Sequence, residues 1–460
     1  MKRVLVATCL VAFALNAQTT SARSPSDVNG GSNGAPPCPS EFADLCSYMQ
    51  SRLTEFDSYI SKHWDGKRNP DLVVGAEFYP MDAYFNISPQ YYSKVGSRYL
   101  EALKKLGVRA TKVKVDFPML VPDWYVYKYN YRSDQFDCSV SANKNNQYCQ
   151  RLATYRQMVS DVIAAGITLD IQTIVSPAAG GSTTDPMGLA GFYAKLDQKS
   201  YTEGRVKQVL AVAQLLSEAR CPKCYITFSA EPTNEGAKAT QRWLVKRDPN
   251  FVRNSIALVT AISQALDRAN IPGLHKSILT SIGVETFAAP IPVFEELLSG
   301  YTKVPGIDVF EMHIHPINRL PNGLDFLMRA VTIADAAKSA GKGCKMNEQW
   351  PYYVRNNELG VVRAPEIEAR SPFSFWTPMD KQFMTALWKF VNWKGCDFLS
   401  FSYPQVFFAR LDYDNIPGCK PASSCGPREW QKAEGREVGD VITGSFKTTE
   451  AGRALTSLGK

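Results

Sequence analysis

Residues 308–315 read DVFEMHIH, and the alternation in this stretch decides the fold. Phe310, Met312 and Ile314 make one apolar face, so Glu311, His313 and His315 fall on the other. Seven further segments share the pattern: 72–79 (LVVGAEFY), 110–117 (ATKVKVDF), 168–175 (TLDIQTIV), 225–231 (YITFSAE), 277–285 (SILTSIGVE), 345–350 (KMNEQW) and 397–403 (DFLSFSY). In the fourth segment Ile226, Phe228 and Ala230 share the apolar face, which sends Thr227, Ser229 and Glu231 the other way. Glu77, Lys112, Lys114, Asp116, Asp170 and Gln172 fall on the polar face by the same count. In a closed parallel barrel one face of every strand meets helices and the other fills the interior. Helical patterns separate the segments, and several end at a glycine (Gly107, Gly166, Gly341, Gly395) just before the next strand. Eight strand-helix units from about residue 70 onward predict an α/β fold, the (β/α)8 TIM barrel. A doubly wound open sheet is the rival. It carries fewer strands and often a glycine-rich phosphate loop, and neither GxGxxG nor GxxxxGK[ST] follows the first strand.

Outside these units the chain supplies context. Residues 1–22 have a basic start, an apolar run and small residues near Ala22, and are expected to be an export signal. Residues 23–37, rich in Gly, Ser and Pro, read as a disordered leader, and 38–460 as a single catalytic domain. Composition is globular, with 45% hydrophobic and 21% charged residues. The net charge of +8 is spread without a basic stripe, so no nucleic-acid partner is expected. No later stretch reaches ~18 uninterrupted apolar residues, so no membrane partner is expected either. The expectation is a monomer, secreted or periplasmic.

Of 11 cysteines, Cys9 lies in the signal, leaving an even number for an oxidising compartment. Proximity suggests Cys38 with Cys46, Cys138 with Cys149, Cys221 with Cys224, Cys419 with Cys425, and Cys344 with Cys396 across the starts of two neighbouring strands. The Cys221–Cys224 spacing has no second copy to complete a zinc site.

Charge on the inner face of strands, where Val, Ile and Leu normally pack, points to a site at the strand ends. Two glutamates end predicted strands: Glu231 the fourth and Glu348 the seventh. In a barrel both reach the C-terminal mouth, and a facing carboxyl pair is what glycosidic-bond hydrolysis uses. Glu235, in Asn234-Glu235, competes with Glu231. His313 and His315 beside Glu311 raise a metal-dependent hydrolase as an alternative, but His63 and His275 are poorly placed to complete the site, so no metal and no cofactor is expected. His313 is read as orienting the nucleophile and His315 as touching sugar hydroxyls. Lys114 and Asp116 support Glu348 or bind substrate, and Glu77 and Glu285 are acceptors for hydroxyls. Tyr79, Trp124, Trp350 and Tyr403 offer aromatic faces for a carbohydrate substrate, with Trp350 the foremost platform. The segment 123–149 is placed to wall one side of a cleft.

These motifs resemble the cellulase-like clan of retaining (β/α)8 glycoside hydrolases over residues 70–460. That clan ends its fourth strand in Asn-Glu-Pro with the acid/base and its seventh in the nucleophilic Glu. Here Ala230-Glu231-Pro232 and Asn347-Glu348-Gln349-Trp350 occupy those places. The resemblance implies Glu231 as acid/base and Glu348 as nucleophile, acting on a β-linked sugar or glycan. Ala230 replaces the clan's Asn, His313-Ile314-His315 matches its His-x-Tyr only at the first residue, and Phe401-Ser402-Tyr403 stands where a Trp closes the eighth strand. Those departures keep open a catalytically silent barrel that binds carbohydrate or a protein partner.

Overall fold

A computed structural model describes residues 43–78, 92–174, 188–228, 249–279, 291–314, 324–349, 376–402, 407–409, 447–448 and 450–460. Eight parallel strands close into one barrel in chain order: β1 (Val73–Glu77), β2 (Ala110–Lys114), β3 (Thr168–Thr173), β4 (Cys224–Phe228), β5 (Leu274–Leu279), β6 (Val309–Met312), β7 (Gly343–Gln349) and β8 (Phe398–Phe401). β8 pairs back onto β1, with Val73 opposite Phe398, so the sheet has no edge. The (β/α)8 barrel expected from the alternation is therefore the fold observed. At Gly75 an added Cβ would lie 1.9 Å from the Ala110 carbonyl oxygen, so β1 and β2 approach this closely only because residue 75 has no side chain.

The outer layer is helical. It includes α1 (Ala43–His63), α2 (Ser97–Lys105), α3 (Pro122–Tyr129), α4 (Gln147–Ala164), α5 (Leu189–Lys195), α6 (Gln198–Glu218), α7 (Phe251–Ala269), α8 (Ile291–Thr302), α9 (Leu324–Ser339) and α10 (Trp376–Lys394). A short pair, β9 (Phe408–Ala409) and β10 (Lys447–Thr448), and α11 (Glu450–Leu458) follow the barrel. Val74, Ile171, Ile226, Phe310, Met346 and Leu399 face outward into the main hydrophobic core with helix residues such as Val159, Val209, Ile262, Leu327 and Leu387. Gly107, Gly166, Gly341 and Gly395 all have positive φ, so the anticipated glycine stops end α2, α4, α9 and α10. Arg220 and Asn270 take the same left-handed conformation after α6 and α7, at φ 52 and 48.

Three differences from the sequence reading have physical causes. Several strands end sooner than their alternation, β1 at Glu77 and β2 at Lys114, because alternation marks extended backbone, which runs on past the ladder with single bonds such as Phe78 N–H to the Lys112 carbonyl at 2.8 Å. β5 begins at Leu274 rather than 277, with His275 opposite Tyr225 and Lys276 opposite Ile226; its polar start hid it. α1, ahead of the repeating units, docks on α10 through Phe56 and Phe383 (ring centroids 5.8 Å apart) and a Lys389–Asp57 ion pair of 2.9 Å.

Disulfides join Cys138 to Cys149, Cys221 to Cys224 and Cys344 to Cys396, as proximity suggested. Cys38, Cys419 and Cys425, and with them the two other suggested pairings, the export signal and the leader lie outside the described residues. No helix among the described residues is long and apolar enough to cross a membrane.

Candidate active site

The barrel interior is stacked from its N-terminal end upward. Its floor is an apolar plug of Ala110, Tyr225, Val309 and Phe398, one from each even-numbered strand, flanked by Val73. Lys345 of β7 rests on this floor, its ammonium 5.0 Å from the Tyr225 ring centroid and 5.6 Å from that of Phe398.

Around Lys345 lies a fully buried polar cluster. Its Nζ pairs with Asp170 Oδ2 of β3, lies 2.6 Å from Glu311 Oε2 of β6 and donates to Thr227 Oγ1 at 2.7 Å. The Thr227 hydroxyl sits 3.0 Å from Asp170 Oδ1 and 2.8 Å from Glu311 Oε2. Glu311 Oε1 also accepts from Gln172 Nε2 and lies 2.8 Å from His313 Nε2. Burial pushes the Asp170 carboxyl up to about 6, with Lys345 opposing and the nearby Glu311 adding to the rise. For Glu311 burial acts in the same upward direction, but the Lys345 charge and the His313 contact outweigh it and hold the carboxyl well below the usual range. One lysine thus faces two carboxylates in a dry interior.

Above this cluster, at the C-terminal mouth, stands Glu348. Strict alternation along β7 puts Lys345 and Asn347 inside and Glu348 among the helices. A β-bulge intervenes: Met346 pairs with Leu399, but Gln349, three residues on, pairs with Phe401, only two on. The extra residue lets Asn347 and Glu348 both turn inward. Glu348 accordingly adopts a left-handed φ of 56, which costs a non-glycine residue ~1–2 kcal/mol. Its backbone N–H donates to Asn347 Oδ1 at 2.9 Å. The bulge is pinned from β6 and within β7 by Gln349, whose Oε1 accepts from Ile314 N at 2.7 Å and whose Nε2 donates to the Asn347 carbonyl at 2.6 Å.

The Glu348 carboxylate sits between two ammonium groups of β2. Lys112 Nζ is 2.8 Å from its Oε2 and 2.7 Å from Glu77 Oε1, while Lys114 Nζ is 3.3 Å from its Oε1 and 3.8 Å from Glu77 Oε1. Glu348 is 6% exposed and Lys112 is wholly buried, so these charges meet with little solvent screening. Among the described residues, two carboxylates and two lysines balance in formal charge within this upper cluster.

The sequence-predicted residues are distributed as follows. Glu77, Lys114, His313 and Glu348 converge inside the barrel, with Lys114 directly supporting Glu348. Glu77 is occupied by Lys112 rather than open to solvent. Asp116 is buried just beyond β2, its main-chain carbonyl accepting from Gln208 Nε2 at 3.2 Å. His313 is fully buried against Glu311 and Gln172. Trp124 belongs to α3, and its ring is 6% exposed and packed edge-on against Phe192, which leaves little of its face for a ligand. Glu231, Glu235, Tyr79, Glu285, His315, Trp350 and Tyr403 lie outside the described residues. Among the described residues no three His, Cys, Asp or Glu side chains are grouped to hold a metal ion. Lys345, Asn347 and Gln349 were not singled out from the sequence. The parity conflict along 345–349, with Lys345 and Asn347 inward but Glu348 needed inward too, was the available signal for the bulge.

No known family profile matches the chain, and no curated protein matches it. Among solved structures it is similar to the catalytic domain of an endo-β-1,4-mannanase from Bacillus sp. (12% identity, TM-score 0.44, covering 84% of this chain and 94% of that one). It is also similar to the β-glycosidase of the hyperthermophile Thermosphaera aggregans (11%, 0.43, covering 73% and 88%) and to a β-mannanase from Bacteroides ovatus (12%, 0.40, covering 77% and 85%). At such distances the chemistry rests on the site itself.

Proposed function

We propose that the chain is an exported retaining glycoside hydrolase that cleaves a β-linked sugar or glycan, with Glu348 as nucleophile and Glu231 as acid/base. The observation that carries this reading is the Glu348 carboxylate, turned inward at the C-terminal end of β7 and set between the ammonium groups of Lys112 and Lys114. An ionised carboxylate at a barrel mouth is the group that attacks an anomeric carbon. In the first step a Glu348 oxygen forms the bond to that carbon as the glycosidic bond breaks, and Glu231 gives its proton to the leaving oxygen. In the second, Glu231 takes a proton from water, whose oxygen displaces Glu348 and restores both carboxyl groups. This path requires the two groups about 5–5.5 Å apart. Glu231 follows the last residue of β4, Phe228, by three positions, and Glu235 is the alternative acid/base. Tyr79, Glu285, His315, Trp350 and Tyr403 are the proposed sugar contacts, and neither metal nor cofactor takes part.

One observation favours a second reading. Both Glu348 oxygens are already in ion pairs, which suits a carbohydrate-binding barrel without turnover. Hydrolysis of a panel of aryl β-glycosides and β-glycans separates the two. Activity lost in both Glu348→Gln and Glu231→Gln, with a 2-fluoro glycoside trapped on Glu348, supports the hydrolase. Binding without hydrolysis across the panel supports the silent barrel, and label on a residue other than Glu348 rejects the assigned nucleophile.

A further inference from the structure

We propose that Asp170, on the strand opposite β7, positions the reacting carboxylate by acting through Asn347; this rests on the reading of Glu348 as nucleophile. The bulge takes the Glu348 N–H away from the regular ladder, and the Asn347 side chain supplies the acceptor, Oδ1 at 2.9 Å. With Oδ1 so used, the fully buried Asn347 amide must direct Nδ2 to an acceptor inside the barrel. That acceptor is Asp170 Oδ2. A carboxylate can only accept when ionised, so it admits one orientation of the amide and excludes the flipped one, which would present Nδ2 to the Glu348 N–H. Asp170 is itself fixed by the Lys345 ammonium and the Thr227 hydroxyl. The chain of contacts therefore runs from Lys345 and Thr227 to Asp170, to Asn347, and to the backbone of Glu348, which is held left-handed.

A purely structural ion pair accounts for this arrangement less well. A buried Lys–Asp pair contributes little net stability compared with apolar side chains of the same volume, and the floor just below shows that this interior packs apolar residues readily. The pair's distinctive effect is directional: it fixes which atom of Asn347 meets Glu348.

The test compares wild type with Asn347→Ala and Asp170→Asn. Steady-state kinetics on the best aryl β-glycoside should show kcat reduced about 10- to 100-fold with KM within about twofold, the signature of a displaced reacting group. The first-order rate at which a 2-fluoro glycoside labels Glu348 should fall in parallel. Hydrogen exchange supplies a readout independent of turnover: the Glu348 amide should exchange faster in both variants while Met346 and Leu399 stay protected. Should Asp170→Asn fail to fold, Asp170→Ala takes its place, removing the acceptor while Lys345 stays paired with Glu311. Unchanged kcat, a change confined to KM, or a Glu348 amide as protected as in wild type overturns the proposal. If wild type hydrolyses nothing, the hydrolase reading fails and the amide exchange alone decides whether Asp170 positions Glu348.

Discussion

Replacing Lys112 with Met should convert the mouth of the barrel from an ionised site into a proton-binding one. The substitution keeps an unbranched side chain one atom shorter and removes an ammonium 2.7 Å from Glu77 Oε1 and 2.8 Å from Glu348 Oε2. At an effective dielectric near 20, one such contact corresponds to ~6 kcal/mol. Protonating an ordinary glutamate at pH 7 costs only ~3.7 kcal/mol. Protonation is the cheaper response, so the variant should fold with a proton on the Glu77–Glu348 pair, leaving Lys114 to neutralise the carboxylate that remains. The stability loss is then limited to about 4 kcal/mol at pH 7 and changes by ~1.4 kcal/mol per pH unit. The sign follows from the direction of the change. A carboxyl that holds its proton more tightly folded than unfolded contributes stability below its unfolded value and loses it as pH rises, so the gap to wild type should be small near pH 5 and widen toward pH 8. Urea unfolding at both pH values measures that gap, and the pH profile of aryl β-glycoside hydrolysis should show its acid limb moved upward. A gap that does not depend on pH, or full activity with an unmoved profile, would show that Lys112 does not keep Glu348 ionised.

Three further outcomes are expected. Asp170 has its carboxyl raised to about 6 by burial, so its contribution to stability is complete below its unfolded value and is lost as pH climbs through about 6; wild type should therefore lose on the order of 2–3 kcal/mol relative to Asp170→Asn between pH 4 and pH 7 in denaturant titrations. Arg220 is exposed and sits at φ 52 after α6, so Arg220→Gly should raise stability by about 0.5–1 kcal/mol, seen as a higher melting temperature. Removing the Cys344–Cys396 bridge, which spans 52 residues of sequence, as the double alanine variant should cost up to about 4 kcal/mol, with a loss confined to a few tenths counting against a cross-link of the unfolded chain.

The barrel was legible because period-two alternation runs through the strands, broken in β7 only at its bulge, even where the inner face is charged, and because glycine marks the end of several helices. Strand ends were less legible, since the residues after Glu77 and Lys114 keep the alternation and some backbone hydrogen bonds to the next strand (Phe78 N–H to the Lys112 carbonyl, Val115 N–H to that of Gln172) beyond the last paired residue of the ladder. The first helix escaped notice because nothing in the eightfold rhythm requires it; its role is to cover α10. In the site, Glu348 and its lysine Lys114 were readable from position and charge. The bulge that aims Glu348 was marked only by the parity conflict along 345–349, because such turns usually carry Gly or Asn in the left-handed position and here the residue is Glu. Lys345 and Asn347 were hidden for a related reason, because their importance comes from partners on β3, β4 and β6 that only closure of the barrel brings near.

The bulge has a consequence for altering this protein. Along β7 the number of residues matters as much as their identity: with one fewer between Met346 and Gln349, the pairing to Leu399 and Phe401 would fall into step and the carboxylate would swing into the helical layer. An insertion or deletion within residues 343–349 resets the aim of the whole site.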